Sequence, residues 1–255
     1  MQTLFSQFET LSLDQLNARA PLMIRRDSKY LVSTAQLDGF LQRIAPDFQL
    51  LEIDGLHQFN YHTQYLDTAD LQCYFDHNKG RRKRLKLRFR HYVDSDLYFL
   101  ELKLKGQRNL TQKYRQPIDA TTFQQGRLTT ALTEFVNDKL LTHYQRTLVH
   151  EFEPNLLVKY RRTTLVSKTG AERITIDNQL EFSDTSQNYH ADPQLWIVEV
   201  KSKTGHSVVD KHLYQQKARP MPRCSKYCVG LSLIQDHIQV NRFTPVVKKF
   251  LNQLS

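Results

Sequence analysis

One segment decides the fold: Arg84-Leu85-Lys86-Leu87-Arg88-Phe89-Arg90. Cationic and apolar side chains alternate along it. Successive side chains of a β-strand point to opposite faces of the sheet, so this alternation predicts a strand. All of its cations lie on one face and all of its apolar side chains on the other.

A second strand with a charged face follows closely. The turn Val93-Asp94-Ser95-Asp96 leads into a segment in which Glu101, Lys103 and Lys105 alternate with apolar residues. Like charges at neighbouring positions of one sheet face repel each other. We therefore expect an anionic ligand to lie among these cations.

The same alternation recurs along the chain, again with an excess of cations. The charged positions are Lys113 and Arg115, then Lys159 and Arg161, then Arg173, then Glu199, Lys201 and Lys203, with Asp27 and Lys29 in an N-terminal candidate strand. Lys159 and Arg161 alternate with Val158 and Tyr160, which this pattern assigns to the apolar face. One interpretation is a set of half-buried sheets with solvated charged faces. The other is a sheet closed on itself, with apolar side chains packed outward under helices and charges lining a wet interior. The repetition in several strands favours the closed sheet.

The composition points to a polyanionic partner. The 255-residue chain has a formal net charge of +10 at pH 7 and a pI near 9.5. Such a balance favours nucleic acid, polyphosphate, a nucleotide or an anionic membrane surface. No apolar stretch approaches the roughly 20 residues of a spanning helix, and the N-terminus lacks the order of a signal peptide. We therefore expect a cytoplasmic protein without a membrane span.

Several kinds of site are disfavoured by residue usage. Three cysteines, Cys73, Cys224 and Cys228, argue against a disulfide scaffold, and no second Cys/His pair has zinc-finger spacing. The eight glycines form no phosphate-binding loop. Any phosphate site must therefore be built from side chains.

No linker is long enough to divide the chain, so we expect a single domain over residues 1–255. An N-terminal helix is predicted over about residues 3–17, because Leu4, Phe8 and Leu11 have helical spacing. Strands are expected between about residues 22 and 203, and helices between about residues 205 and 254. This order of elements predicts an α+β fold.

The ordered series of short motifs resembles a known family. The motifs are Asp27-Ser28-Lys29-Tyr30, Tyr65-Leu66-Asp67-Thr68, Arg88-Phe89-Arg90-His91-Tyr92, Glu101-Leu102-Lys103, Lys113-Tyr114-Arg115, Tyr160-Arg161-Arg162, Arg173-Ile174-Thr175-Ile176-Asp177, Glu199-Val200-Lys201 and Ser225-Lys226-Tyr227. Each is common by itself, and their order carries the resemblance. In this order they resemble the VTC domain, the polyphosphate polymerase branch of the CYTH or triphosphate tunnel metalloenzyme superfamily.

The resemblance implies an antiparallel β-tunnel, a closed barrel of about eight strands with helices outside. It implies transfer of the γ-phosphate of ATP onto a polyphosphate chain that threads through the tunnel, with Mn²⁺ or Mg²⁺ bound. The residues at matching positions are Lys29, Arg88, Arg90, Lys103 and Arg161 as catalytic groups, Lys113, Arg115, Arg173, Lys201 and Lys226 as substrate-binding groups, and Glu199 as the metal ligand.

One departure from the related triphosphatases affects the choice of reaction. Those enzymes carry an E-x-E-x-K signature near the N-terminus, whereas this chain has Arg25-Arg26-Asp27-Ser28-Lys29. Loss of a paired carboxylate weakens a two-metal hydrolase and suits a polymerase with one metal ion.

The chemistry can also be argued from the residues alone. Phosphoryl transfer depends on charge neutralisation and positioning far more than on covalent help from the protein. Arginine holds phosphate oxygens bidentately, and a carboxylate such as Glu199 is a hard ligand that suits Mn²⁺ or Mg²⁺.

Two further functions stay open: a triphosphatase in the same tunnel, and a non-catalytic module that binds polyphosphate or inositol polyphosphate. Specific nucleic-acid binding is disfavoured because Phe89 and Trp196 alternate with the charges instead of sharing their face.

Overall fold

The core of the fold is one large sheet. In the computed structural model, which describes residues 2–19, 26–106, 111–203 and 207–252, eleven strands form this sheet. They are β1 (Glu9–Leu11), β2 (Arg26–Ser33), β3 (Phe48–Leu51), β4 (Phe59–Asp67), β5 (Leu85–Tyr92), β6 (Leu97–Lys105), β7 (Thr111–Ile118), β8 (Glu153–Ser167), β9 (Glu172–Ser183), β10 (Asn188–His190) and β11 (Leu195–Ser202).

The main path of the sheet is antiparallel and runs in the order β2-β11-β9-β8-β4-β5-β6-β7. β3 pairs with β8 off this path and carries β1 in parallel, while β10 pairs with β9. The predicted start of the first long strand at residues 22–25 lies outside the described residues.

Eight α-helices occur in the described part of the chain. They are α1 (Leu13–Arg19), α2 (Thr34–Ile44), α3 (Gln72–Lys79), α4 (Ala120–Gln125), α5 (Thr130–Tyr144), α6 (Val208–Gln215), α7 (Lys226–Ile234) and α8 (Thr244–Leu251). The α+β class with an antiparallel sheet is therefore confirmed. None of these helices has the length and hydropathy needed to cross a lipid bilayer.

The alternation along β5 and β6 produces two chemically different faces. The apolar side chains Leu87 and Phe89 are buried in the same cluster as Val136 and Leu140 of α5. At the other end of the sheet, Trp196 and its neighbours on β11 are buried with residues of α2 and α6. Because helices remove these side chains from water, the apolar face is the outer one.

The predicted closed barrel is wrong, because within the described residues β2 and β7 end the sheet without pairing to each other. The segment after α6 takes the outer edge of β2, where the Met221 amide donates to the Lys29 carbonyl at 2.7 Å and Tyr30 bridges to Pro220. β7 contains Pro117, which has no amide hydrogen to donate. Both edge strands are therefore poorly suited to pairing with each other and closing the sheet into a barrel.

The open sheet nevertheless curls strongly, as strand twist requires. Glu199 on β11 interacts electrostatically with Lys103 on β6, although four strands separate β11 from β6 in the sheet order. Lys105 near the end of β6 interacts with Asp27 on β2 in the same way. The inner face is therefore a trough whose two walls face each other.

Helix α7 covers one end of this trough. Its residues Tyr227, Cys228 and Leu231 are buried in one cluster with Leu156 and Phe182 from the strands. Gly230 allows the close approach, since a Cβ there would lie 2.5 Å from the Phe182 ring and 2.7 Å from the Leu156 side chain. The inner face is thus apolar at this end and polar at the other.

The buried carboxylate of Asp67 fixes α3 and α7 to the sheet. It accepts hydrogen bonds from the backbone amides of Thr68, Cys73 and Tyr74 at 2.8, 2.8 and 2.9 Å, and from the Tyr227 hydroxyl. A buried carboxylate is tolerated when several donors satisfy it. The position of α7 in the trough is therefore specified by a polar network as well as by packing.

The predicted helix over residues 3–17 is wrong for most of its length. A 3₁₀ turn at Gln2–Phe5 and strand β1 precede the short helix α1. Thr10 and Leu11 pair with Leu50 and Leu51 of β3, and Ser12 then begins α1 by accepting from the Gln15 amide at 3.3 Å. Pairing to an available strand edge overrides the local helical spacing.

Candidate active site

The polar part of the trough carries charged side chains from almost every long strand. The inward positions include Lys29 on β2, Lys86, Arg88 and Arg90 on β5, Glu101 and Lys103 on β6, Lys113 and Arg115 on β7, Arg162 on β8, Arg173 and Asp177 on β9, Glu199 and Lys201 on β11, and Lys226 on α7. Cations clearly outnumber carboxylates. Such a surface attracts a polyanion and holds it by charge.

Arg88 is held in position by groups on two neighbouring strands. Its Nε lies 2.8 Å from Oε2 of Glu101, and its Nη1 donates to the Tyr65 hydroxyl at 3.1 Å. Arg90 Nη1 lies 3.6 Å from Oε1 of the same carboxylate, and its buried Nε has no hydrogen-bond partner in the described structure. Glu101 thus orients both guanidinium groups while leaving donors for a further acceptor.

The charges around Glu101 determine its protonation. Burial disfavours the charged form, yet Arg88, Arg90 and Lys103 hold the pKa of this carboxyl well below its ordinary value. Glu101 therefore remains a carboxylate throughout the neutral pH range, and the two arginines stay fixed.

Arg162 on β8, which only β4 separates from β5, is fixed in the same way. Nε and Nη2 of Arg162 lie 2.6 and 2.8 Å from the two carboxylate oxygens of Asp177, which also accepts from Nζ of Lys226. Burial opposes ionisation of Asp177, but Arg162 and Lys226 hold its pKa well below the usual range. Such a bidentate pair orients the guanidinium plane.

The prediction that Arg161 faces the cavity is wrong, and Arg162 takes this place. Arg161 is exposed on the outer face, where its Nε donates to Oδ1 of Asn60 at 3.2 Å. The sequence interpretation placed Val158 and Tyr160 outside because they are apolar. They face inward, since α7 covers the inner face at this end, and so the inward series continues to Arg162.

A β-bulge lies beside this point. The register between β8 and β9 shifts between Lys159 and Arg161, and Gln179 on β9 has a φ of 49°. A bulge adds an unpaired residue and increases the local twist. Below it both strands present apolar residues to α7, and above it they present Arg162 and Asp177 to the trough.

The N-terminus of α7 contributes the floor of the polar region. Nζ of Lys29 donates to the Cys224 carbonyl at 2.9 Å, and Nζ of Lys86 donates to Oγ of Ser225 at 2.6 Å. Lys226 stacks over Tyr160, with 4.6 Å from Nζ to the ring centroid. Lys86 was not among the predicted site residues, although its position in the first quoted segment placed it on the charged face.

Lys103 lies among like charges. Arg88 has the largest effect, and together with burial it lowers the pKa of Lys103 well below its ordinary value, although Glu101 opposes this. A phosphate bound here would restore the charged form. Lys113 is opposite Lys103 in the register, Arg115 is opposite Glu101, and Arg173 is opposite Lys201, so these residues lie at inward positions.

Glu199 differs from Glu101 and Asp177 because its partner is a lysine. Its Oε2 lies 3.1 Å from Nζ of Lys201, whereas arginines bind Glu101 and Asp177. Burial opposes its ionisation, yet Lys201, Lys29, Arg162 and Lys103 hold its pKa well below the ordinary value. An ammonium group lacks the planar fork with which a guanidinium orients a carboxylate, so Glu199 is held less specifically than Asp177.

The side chains of this site fit a divalent ion only when a bound phosphate supplies further oxygen ligands. No group of three or more His, Cys, Asp or Glu side chains that could hold a metal occurs within the described ranges. Mg²⁺ and similar hard cations are commonly held by one or two carboxylates plus substrate phosphates. The residues present fit an ion bound jointly by Glu199 and phosphate oxygens.

The order of these residues in the chain matches one family throughout. A family model of the VTC domain matches residues 24–235. The chain belongs to the VTC domain family. The resemblance seen in the sequence is therefore confirmed, and the match includes every inward residue named above. No curated protein matches the chain.

Solved structures with a similar fold support the arrangement of this VTC domain. One is a putative adenylate cyclase from Bacillus halodurans, with a TM-score of 0.52 and 13% identity, covering 80% of this chain and 95% of the other. Another is a putative adenylyl cyclase from Hippeastrum described as having a dominant triphosphatase activity, with a TM-score of 0.55 and 15% identity, covering 82% and 96%. At these identities the likeness establishes the fold alone.

Lys201 gives this VTC domain a pH dependence that can be measured. The pKa of Lys201 is lowered to about 8, mainly by burial and also by Arg162. The carboxylates of Glu199 and Asp27 oppose this and raise the pKa. Above pH 8 the ammonium group loses its proton, so we expect triphosphate affinity to fall between pH 7 and 9. Calorimetry in buffers of different ionisation enthalpy should show proton uptake on binding near pH 8, because the phosphate favours the charged form.

Two variants test the assignment of this pH dependence. Lys201→Arg keeps its charge throughout and should remove the transition near pH 8. Lys203→Gln removes an exposed charge just beyond the end of the same strand, and this variant should keep the transition near pH 8. Retention of the transition in Lys201→Arg would assign it to another group.

Proposed function

We propose that this VTC domain is a polyphosphate polymerase that transfers the γ-phosphate of ATP onto inorganic polyphosphate. The observation that carries the proposal is the convergence of cations from both walls and the floor of the trough around Glu199, a carboxylate that pairs with Lys201. The alternation in the strands places like charges next to each other, and a bound polyanion would relieve their repulsion.

The arginines act by positioning. Arg88 and Arg162 are already oriented by Glu101 and Asp177, so these side chains lose little conformational entropy when phosphate oxygens bind. Their guanidinium groups would neutralise charge on the transferred phosphoryl group. Groups that are fixed before the reaction stabilise the transition state without reorganising.

The lysines neutralise the rest of the chain of phosphates. Lys29 and Lys226 lie at the floor, while Lys103 and Lys201 have lowered pKa values that a bound phosphate would raise again. The attacking group is a terminal phosphate oxygen, which is already ionised at neutral pH. The reaction therefore needs no general base from the protein.

Glu199 is the residue that would hold Mn²⁺ or Mg²⁺ together with phosphate oxygens. When bound, the ion would neutralise charge on the β- and γ-phosphate oxygens. Lys201 would then be available to contact a phosphate.

A triphosphatase in the same trough is the second candidate. It is favoured by α7, which fills the inner face at one end and so obstructs a polymer that would thread through a tunnel. The solved structure from Hippeastrum, described by a dominant triphosphatase activity, has the same fold. A hydrolase differs from a polymerase here only in using water as the acceptor.

One experiment decides between these functions. Purified protein is incubated with ATP and Mn²⁺, and the products are separated on a gel stained for polyphosphate while orthophosphate is measured in parallel. We expect a ladder of polymer. Orthophosphate release without polymer would show that the protein is a triphosphatase. Tight ATP binding without turnover would favour a non-catalytic module that binds polyphosphate or inositol polyphosphate.

A further inference from the structure

Aromatic side chains share the inner face with the cations, contrary to what Phe89 and Trp196 indicated. Those two are buried under the outer helices. Tyr61, however, is opposite both Tyr160 and Tyr92 in the register, and Arg90 of the charged face is opposite Phe99. The inner face therefore carries a row of rings across β8, β4, β5 and β6.

The rings and guanidinium groups form one continuous ladder. Arg162 lies over the rings of Tyr160 and Tyr61, at 5.2 Å from each centroid. Arg90 lies 5.5 Å from the centroid of Tyr61 and 5.9 Å from that of Tyr92. This inner part of the ladder is packed, since Tyr61 is stacked on Tyr160 at 5.2 Å and guanidinium groups lie over both rings.

The outer part of the ladder is different. Tyr92 and Phe99 are only half-buried and meet edge to face at 5.8 Å, and the exposed guanidinium of Arg115 lies 4.9 Å from the centroid of Phe99. We call these three residues the rim platform. Planar groups that are partly open to solvent can stack on a further planar group.

The position of the rim platform suits one part of a nucleotide. Lys86 contacts Ser225 at the floor, so β5 runs from the floor toward the open end, where Tyr92 lies. From Arg88 to Tyr92 the strand rises about 13 Å. A triphosphate lying against Arg88 and Arg90 would place its ribose above them and its base at the rim.

We propose that the rim platform stacks the base of a nucleoside triphosphate, so that the trough distinguishes a nucleotide from inorganic triphosphate. This inference rests on the proposed function for the triphosphate site only, and holds for a polymerase and a triphosphatase alike. Stacking on an aromatic ring or a guanidinium group accepts every base. The platform therefore selects nucleotides as a class, with ATP and GTP bound alike.

The test compares two ligands in binding experiments without turnover. Calorimetry measures the affinity of wild type and variants for ATP and for inorganic tripolyphosphate, both with Mg²⁺. We expect Phe99→Ala to weaken ATP and GTP about tenfold, as loss of one stacking contact predicts, and tripolyphosphate less than about twofold. Phe99→Trp should restore the affinity for ATP.

The neighbouring aromatic residue provides the matched control. Tyr98 lies on the opposite face of β6, stacked on His91, so Tyr98→Ala should change neither affinity. Equal losses for ATP and tripolyphosphate in Phe99→Ala would overturn the proposal, because Phe99 would then act only by holding Arg115 for phosphate. Unchanged ATP affinity would overturn it as well.

The same variants separate this inference from the proposed function. If wild type makes no polymer but Phe99→Ala selectively loses ATP affinity, base stacking on the rim platform is supported and the proposed polymerase activity is wrong. If wild type makes polymer and Phe99→Ala leaves both the ATP affinity and the KM for ATP unchanged, the polymerase stands and the rim platform falls.

Discussion

Glu199→Gln should lower Mn²⁺-dependent turnover of ATP by about a hundredfold or more, because a neutral amide is a poor ligand for a hard cation. Affinity for triphosphate without metal should stay the same or increase. The substitution removes a negative charge that lies among Lys201, Lys29 and Lys103, and that repels phosphate. Turnover with Mn²⁺ and binding with chelator present are the two measurements.

Glu181→Gln is the matched control for this change. Glu181 is on β9, the strand next to β11, but it pairs with Lys159 at 3.3 Å on the outer face. Its loss should leave turnover unchanged, since an exposed ion pair contributes little. Full activity of Glu199→Gln would exclude this carboxylate from the reaction, and equal losses in both variants would indicate a general effect of charge.

Arg162→Lys should lower turnover at least tenfold, equivalent to about 1.4 kcal/mol of transition-state stabilisation, while Arg161→Lys should leave it unchanged. The two residues are adjacent and both substitutions keep the charge. Only Arg162 has its guanidinium in the trough, bound bidentately by Asp177, and lysine cannot reproduce this fork. Steady-state kinetics with ATP at fixed ionic strength measures both variants.

The fold of Arg162→Lys must be checked, because the substitution alters a buried ion pair. Thermal unfolding of both variants and of wild type shows whether lysine still satisfies Asp177. A loss of turnover without a loss of stability supports a direct contact with phosphate. Equal activity of the two variants would mean that bulk positive charge suffices and that Arg162 has no specific role.

The charged strands β5 and β6 were predictable because both rules that govern them are local. Alternation assigns Arg88 and Glu101 to one face, and the short turn between the strands makes them neighbours. The same reasoning placed Glu199 and Lys201 together on the inner face. For these residues the outer face is covered by helices, so the assumption that apolar side chains point outward was correct.

Arg161 shows where that assumption ends. Alternation correctly put Arg161 and Arg162 on opposite faces, but the choice between the faces used the apolar residues Val158 and Tyr160. At this end of the trough a helix from the C-terminal part of the chain packs inside the sheet. No local pattern in β8 records on which side α7 lies.

The sequence by itself determined the family, the α+β class, the antiparallel strands and the excess of cations on one sheet face, since all of these follow from order and from a period of two along each strand. Only the tertiary structure decided that the sheet stays open between β2 and β7, that α7 fills one end, and that Arg162 faces the ligand site. These features depend on contacts between segments far apart in the chain, such as Met221 with Lys29 and Tyr227 with Asp67. Their energies depend on packing and hydrogen bonding in the folded state, which side-chain alternation does not encode.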